Sequence, residues 1–249
     1  MSLQAPSIVI FDMDGTTIRH LNPKVLGLME WLDDTAFSIS KVWGKMFDQK
    51  KEPKPTAESP AGAPVKPPKA VMMHRALHKM NRKPIDLMVE PCPGIYTVLS
   101  FLKRKGIPMG LVSNGLGKGY GLDVIQQFDL KEYFDVTIFR EDIHRAKPHP
   151  ESIIKAVRQM GTHLGENDTV WYVGDRHKDV TAAQSASRHL PCTVIPIAYA
   201  VNAAIAILEK KYGPEHIIMS YHEMYKVLNQ LFLTAPNDAA LASCKVEAK

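Results

Sequence analysis

Short apolar runs and helical patterns alternate along most of the chain. The first run, at residues 8–11, is β-branched and uninterrupted, which is typical of a strand buried on both faces of a sheet. Later apolar runs predict strands at 107–112, 136–139, 169–173 and 193–197. Apolar residues at helical spacing predict a helix from 95 that closes at 103–106, and further helices at 120–128, 150–160, 177–186, 203–211 and 221–232. The alternation predicts an α/β fold with a Rossmann-like parallel sheet and helices on both faces.

A block of different composition follows the first strand. Residues 23–47 and 70–81 carry apolar residues at helical spacing, whereas residues 50–69 contain six of the chain's 18 prolines. A stretch with so few apolar residues cannot bury enough surface to fold alone. We therefore predict an α/β core made of residues 1–20 and 91–233, a small α-helical cap domain at 21–90 with a proline-rich loop at 50–69, and a C-terminal tail at 234–249.

The composition is that of an ordinary soluble globular protein, with 45% hydrophobic and 23% charged residues. The 3 cysteines are far apart and odd in number, which argues against a disulfide framework and for a reducing compartment. No apolar run approaches the roughly 18 residues of a membrane span. We expect a cytoplasmic protein with no membrane or nucleic-acid partner. The net charge of +5 is mild and suits an anionic substrate as well as it suits nucleic acid.

Two carboxylates, Asp12 and Asp14, follow the first apolar run directly. Strand alternation would direct both to the same side, where like charges repel unless a cation lies between them or one holds a proton. Gly15 would allow the chain to turn sharply away. A strand followed by an Asx-type turn would explain this stretch equally well, so the rest of the chain decides its meaning.

Polar residues also follow two later strands. The runs at 107–112 and 169–173 lead into Ser113-Asn114-Gly115 and Gly174-Asp175, and Asp179 and Lys147 lie near predicted helix starts. Each of these signals alone is more often structural than functional. Together they lie where parallel strands end, which is the edge where α/β sheets bind ligands. Carboxylates from separate strands suit Mg²⁺, and serine, lysine and a helix amino terminus suit a phosphate.

The order of these motifs resembles the haloacid dehalogenase superfamily over nearly the whole chain. Within it, the chain resembles the phosphoglycolate-phosphatase-like subgroup, which has a helical cap between motifs one and two. The matching motifs are Asp12-Met13-Asp14-Gly15-Thr16, then Ser113 with Asn114, then Lys147-Pro148, and finally Gly174-Asp175-x-x-x-Asp179. The chain departs from the family near 198–200, where alanine replaces the glycine that usually follows the last strand.

The resemblance implies a role for each matched residue. Asp12 would be the nucleophile that forms an aspartyl-phosphate, and Asp14 would be the general acid and base. Ser113 and Lys147 would complete the catalytic set. The phosphate would be bound by Asp12, Gly15, Thr16, Ser113, Asn114, Gly115 and Lys147. The cofactor Mg²⁺ would be held by Asp12, the backbone carbonyl of Asp14, Asp175 and Asp179, the last of these at the metal or at its waters.

The resemblance therefore implies an Mg²⁺-dependent phosphatase that hydrolyses a small phosphorylated metabolite, a phosphate monoester. A phosphomutase uses the same core, and a catalytically silent binding protein is the alternative from another class. A dehalogenase is disfavoured because it would not need Asp14. The sequence leaves the oligomeric state open between monomer and homodimer. Anion contacts from the cap are expected from Lys45, Arg75, His78 or Arg82.

Overall fold

The computed structural model describes residues 3–21 and 88–234. The predicted cap helices, the proline-rich loop at 50–69, the cap residues expected to contact anions and the tail from residue 235 lie outside these described residues. The predicted division into core, cap and tail therefore stays a prediction. None of the described helices is both long enough and apolar enough to cross a membrane.

A six-stranded parallel sheet forms the centre of the described core. The described strands are β1 (Ile8–Asp12), β2 (Ile18–His20), β3 (Val89–Pro91), β4 (Met109–Val112), β5 (Val136–Ile138), β6 (Thr169–Gly174), β7 (Thr193–Tyr199) and β8 (Ile217–Ile218). The order in the main sheet is β5–β4–β1–β6–β7–β8, and β2 pairs with β3 in a separate antiparallel ribbon. The first strand thus lies inside the sheet, which explains why it is apolar at every position before Asp12.

Helices cover both faces of this sheet, as predicted. They are α1 (Ile95–Arg104), α2 (Lys118–Gln127), α3 (Glu151–Met160), α4 (His177–Ala186), α5 (Val201–Glu209) and α6 (Tyr221–Thr234). Side chains of β1 alternate between two apolar clusters: Val9 and Phe11 pack with residues of α1 and α6, whereas Ile8 and Ile10 pack with residues of α3 and α4. The α/β, Rossmann-like architecture is confirmed.

Among the boundaries that differ from the prediction, two have clear local reasons. Ile107 does not begin β4, because its amide donates to the Leu102 carbonyl at 3.0 Å and closes α1 after the left-handed Gly106 (φ +71°). At the other side of the sheet, β7 runs to Tyr199 because β8 pairs with its last two residues. A two-residue strand such as β8 has too few positions to give a periodic signal.

Ala200 follows β7 in a backbone conformation that glycine normally adopts. Its φ of 74° and ψ of 173° lie in a region that strains any residue with a Cβ atom, at a cost of about 1–3 kcal/mol. Its amide donates to the carbonyl of Ile218 at 3.3 Å, so the pairing with β8 helps to hold this conformation. Ala200 lies within the stretch at 198–200 where the resemblance led us to expect a departure from glycine to alanine.

Candidate active site

The carboxyl ends of β1, β4 and β6 meet at one edge of the sheet. Asp12 is in register with Val112, the last residue of β4, and Phe11 is in register with Val173 of β6. Ser113 and Asp175 therefore emerge beside Asp12, on its two sides. These three motifs lie together because each of them lies at or directly after the end of a strand of the same parallel sheet.

A tight turn after β1, rather than strand alternation, places Asp14. The strand ends at Asp12, and the amides of Thr17 and Ile18 both donate to the Met13 carbonyl at 3.0 Å. The hydroxyl of Thr17 adds a 2.7 Å hydrogen bond to the Asp12 carbonyl. We expected the alternation of side chains along a strand to direct both acids to one side. That reason is wrong, because the strand ends at Asp12 and Asp14 lies in the turn beyond it.

Gly15 is required at this turn because Asp175 lies against it. Its φ is +83°, and a Cβ atom at this position would lie 2.3 Å from Asp175 Oδ2. The next residue, Thr16, is fully buried; its hydroxyl donates to Asp175 Oδ1 over a long 3.5 Å, and its carbonyl accepts from the Tyr221 hydroxyl at 2.7 Å. The turn and the end of β6 therefore fit together with no room for a side chain between them.

Lys147 lies in a buried cluster with two of the predicted metal-binding acids. Its ammonium contacts Asp12 Oδ1, lies 2.7 Å from Asp179 Oδ1 and donates to the Tyr172 hydroxyl at 2.8 Å. The Asn114 side chain clamps the Lys147 backbone, since its Oδ1 accepts from the Lys147 amide at 3.1 Å and its Nδ2 donates to the Lys147 carbonyl at 3.3 Å. The lysine is thus held at both its backbone and its side chain.

The buried cluster has more negative than positive groups. Burial raises the pKa of Asp12 well above 3.8, and Asp179 and Asp175 add to this, although Lys147 acts in the opposite direction. Burial and then Asp179 raise the pKa of Asp175 to about 7. The pKa of Lys147 is raised despite its burial, because Asp12 and Asp179 stabilise its charge. One lysine does not balance three neighbouring carboxyls, so the cluster favours a further cation.

Asp14 lies in a different environment on the other side of the turn. Ser113 Oγ donates to its Oδ2 at 3.2 Å, and His20 Nε2 on β2 lies 3.5 Å from its Oδ1. Burial alone would raise the pKa of Asp14, but His20, then Arg176 and Ser113, lower it below 3.8. Gly115 is also close, since a Cβ atom there would lie 3.8 Å from Asp14 Oδ2.

The structure therefore brings the predicted site residues together at one edge of the sheet. They are Asp12, Asp14, Gly15, Thr16, Ser113, Asn114, Gly115, Lys147, Asp175 and Asp179. Sequence reasoning missed Tyr172 and His20. A tyrosine inside an otherwise apolar strand was an available signal, because a buried phenol needs a hydrogen-bond partner. His20 gave none, because only the ribbon of β2 and β3 brings it back to Asp14.

Comparison with known proteins gives consistent results. Residues 9–190 match the protein-family model described as haloacid dehalogenase-like hydrolase. The chain is 23% identical over 220 residues to pyrophosphatase PpaX of Halalkalibacterium halodurans, with 88% of this chain and 95% of that protein covered. It is 24% identical over 233 residues to phosphoglycolate phosphatase of Photorhabdus laumondii, with 88% and 91% covered.

Solved structures share the fold at low sequence identity. A HAD-superfamily hydrolase from Ehrlichia chaffeensis superposes with a TM-score of 0.56 at 18% identity, over 93% of this chain and all (100%) of that one. A candidate beta-phosphoglucomutase from Thermotoga maritima gives 0.57 at 19% identity, over 91% and 99% of the two chains. These similarities support the architecture of the core.

Proposed function

Because this chain belongs to the haloacid dehalogenase-like hydrolase family, we propose that it hydrolyses a small phosphate monoester through a phosphoryl group carried on Asp12. One observation carries the proposal: Asp12 is buried against the ammonium of Lys147, while Asp14, two residues later, contacts a serine hydroxyl and stays partly exposed. A fixed carboxylate beside a cation suits attack on phosphorus. An acid with access to the substrate suits proton transfer.

The proposed reaction has two steps. In the first, a carboxylate oxygen of Asp12 forms a bond to phosphorus, the bond to the leaving oxygen breaks with its electron pair, and Asp14, which enters this step in its protonated form, gives that oxygen its proton. In the second, a water oxygen attacks the same phosphorus, Asp14 takes the water's proton, and the Asp12 carboxylate leaves unchanged. Inorganic phosphate and the alcohol are the products.

Two further side chains would stabilise the transferring group. The ammonium of Lys147 would attract its oxygens, and Ser113 would donate a hydrogen bond to one of them after turning away from Asp14. The serine hydroxyl is already oriented, since it accepts from the Leu116 amide at 2.9 Å. Asn114 would act at a distance from the phosphate, by holding the Lys147 backbone.

The acidic cluster fits Mg²⁺. Asp12, Asp175 and Asp179 each place one carboxylate oxygen within 4.8 Å of the others, and hard oxygen ligands are those that Mg²⁺ prefers. Burial first, and then the neighbouring acids, raise the pKa values of Asp12 and Asp175. When bound, the ion would neutralise charge on the phosphoryl group and on Asp12. Asp12, Asp175 and the Asp14 carbonyl would hold it, and Asp179 would support the metal or its waters.

A panel of phosphorylated compounds tests this function. We expect Mg²⁺-dependent phosphate release from one or a few small monoesters, and the panel includes phosphoglycolate and pyrophosphate because two relatives are named for them. Denatured reaction mixtures should contain the peptide of Asp12 carrying one phosphoryl group. Sugar phosphates that isomerise without releasing phosphate would indicate a phosphomutase. Activity that survives exhaustive chelation would contradict the metal requirement.

A further inference from the structure

We propose that Tyr172 is a positioning residue of this site, which holds the Lys147 ammonium in place throughout the reaction. The inference rests on the proposed function and adds a residue that the family motifs do not include. Tyr172 lies inside β6, two residues before Gly174-Asp175, and is in register with Ile10 of β1.

The surroundings of the Tyr172 ring do not account for its hydroxyl. The residue is 1% exposed, and its ring packs in the apolar cluster that contains Ile8 and Ile10. Phenylalanine would fill the same space there without needing a hydrogen-bond partner. The hydroxyl does not bond to a backbone carbonyl of the described chain; its partners are two charged side chains of the site.

The phenol is the neutral member of the Lys147 contacts. It accepts from Nζ of Lys147 at 2.8 Å and donates to Asp179 Oδ1 over 3.4 Å. Burial raises the pKa of Tyr172 well above 10, so the hydroxyl keeps its proton. Lys147 has three N–H donors, and its oxygen partners in the described structure are Asp12, Asp179 and Tyr172.

The three contacts differ in what happens to them during the proposed reaction. Asp12 loses its carboxylate charge when it is phosphorylated, and Asp179 belongs to the acidic cluster that would hold the metal. Tyr172 changes neither charge nor bonding, so it can hold the ammonium while the other two partners change. A fixed charge that needs no rearrangement at the moment of reaction is the main source of electrostatic catalysis.

The variant Tyr172→Phe removes only the hydroxyl. We expect kcat for p-nitrophenyl phosphate to fall roughly 10–100-fold with KM within about threefold of the parent, because a misplaced ammonium acts mostly on the transition state. The matched control is Tyr96→Phe, which loses a 2.6 Å hydrogen bond to the Phe128 carbonyl away from the site. Its kcat should stay within about twofold of the parent, whatever its change in Tm.

A mutant cycle separates positioning from packing. If Tyr172 acts through Lys147, then Tyr172→Phe should cost less than about threefold when Lys147 is already methionine. A kcat for folded Tyr172→Phe within about threefold of the parent, or the same loss in both backgrounds, would overturn the inference and leave the proposed function standing. Parent protein that releases no phosphate from any compound would overturn the proposed function, and this inference with it.

Discussion

Asp12 and Asp14 are two residues apart, yet their carboxyls lie in opposite environments. Asp12 is buried against Lys147, and burial with its acidic neighbours raises its pKa. The Asp14 side chain is 19% exposed and contacts Ser113 and His20; its pKa is lowered although burial opposes this. The Gly15 turn alone does not produce this difference, because the partners of the two acids come from distant parts of the chain.

The contrast in burial matches a division of work within the proposed reaction. The side of Asp12 is built from the centre of the sheet and excludes water, which keeps the nucleophile fixed. The side of Asp14 is formed by the end of β4 and by the β2–β3 ribbon, and the Asp14 side chain keeps 19% of its surface exposed. Burial and exposure therefore distinguish the two roles better than residue type does.

The largest expected effect is that of Asp12→Asn. An amide is not a nucleophile toward phosphorus, so phosphate release should fall by more than about 1,000-fold for every substrate, and no phosphorylated peptide should form. Circular dichroism and Tm check that the fold persists. Near-parental turnover in this variant would remove the basis for distinguishing the two acids.

Asp14→Asn should give a loss that depends on the leaving group. Without the acid, the leaving oxygen is not protonated, which slows alkyl phosphates by roughly 100–10,000-fold. The loss for p-nitrophenyl phosphate should be smaller, because its leaving group needs no proton. Equal losses for the two substrates, measured as kcat, would count against a proton-transfer role for Asp14.

Gly15→Ala tests the turn that separates the two acids. Its Cβ atom would lie 2.3 Å from Asp175 Oδ2, so we expect Asp175 to move and the apparent affinity for Mg²⁺ to fall roughly 10–100-fold. Calorimetric titration with Mg²⁺, without substrate, measures this change. Backbone strain at φ +83° should also reduce the free energy of unfolding, by about 1–2 kcal/mol.

Gly106→Ala is the matched control for this strain. Gly106 has a φ of +71°, but a Cβ atom there would meet no heavy atom within 4 Å, and the residue lies at the end of α1, away from the site. It should lose similar stability, about 1–2 kcal/mol, without weakening Mg²⁺ binding. If both variants bind Mg²⁺ equally well, the contact of Gly15 with Asp175 does not shape the metal cluster.

The core could be predicted from sequence because its signals are local. Asp12, Ser113 and Asp175 each come at or just after the end of an apolar run, and parallel strands bring their carboxyl ends to one edge of the sheet, so these three residues could be placed at the same edge. The ribbon of β2 and β3 could not be predicted. It joins three-residue segments that are about 70 positions apart in the chain, as in the Arg19–Glu90 hydrogen bond with a separation of 71. Such short strands carry no periodic pattern.

The different environments of Asp12 and Asp14 could not be predicted from the sequence either, because they depend on contacts between distant segments. The causes are tertiary contacts: His20 reaches Asp14 through that ribbon, and Tyr172 reaches Lys147 from the middle of an apolar strand. Residue spacing near motif one predicts two adjacent carboxylates but not their unequal burial. The sequence showed a departure from the family near 198–200, but it did not show that Ala200 has a positive φ.

The smallest expected effect concerns the outer support of the Lys147 segment. The carboxylate of Glu151 at the start of α3 accepts hydrogen bonds from the amides of His144 (2.7 Å) and Arg145 (2.9 Å). Although burial acts in the opposite direction, these hydrogen bonds lower the pKa of Glu151 below 4.5. Because the folded state has the lower pKa, the stabilisation is present above 4.5 and is lost as the pH falls through the folded value.

Glu151→Gln weakens these hydrogen bonds and should therefore lower the free energy of unfolding at pH 7. The loss should be only about 1 kcal/mol, because the carboxylate is largely solvated. The difference from the parent should shrink as the pH falls below 4.5. Urea unfolding at several pH values measures it, with the exposed Glu132→Gln, which loses a 3.3 Å surface pair with Lys103, as the control. At pH 7 kcat should stay within about twofold of the parent, because Asn114 and the buried contacts already hold Lys147. A large loss of kcat would mean that the buried side of the site depends on its surface loop, and that burial alone does not fix the lysine.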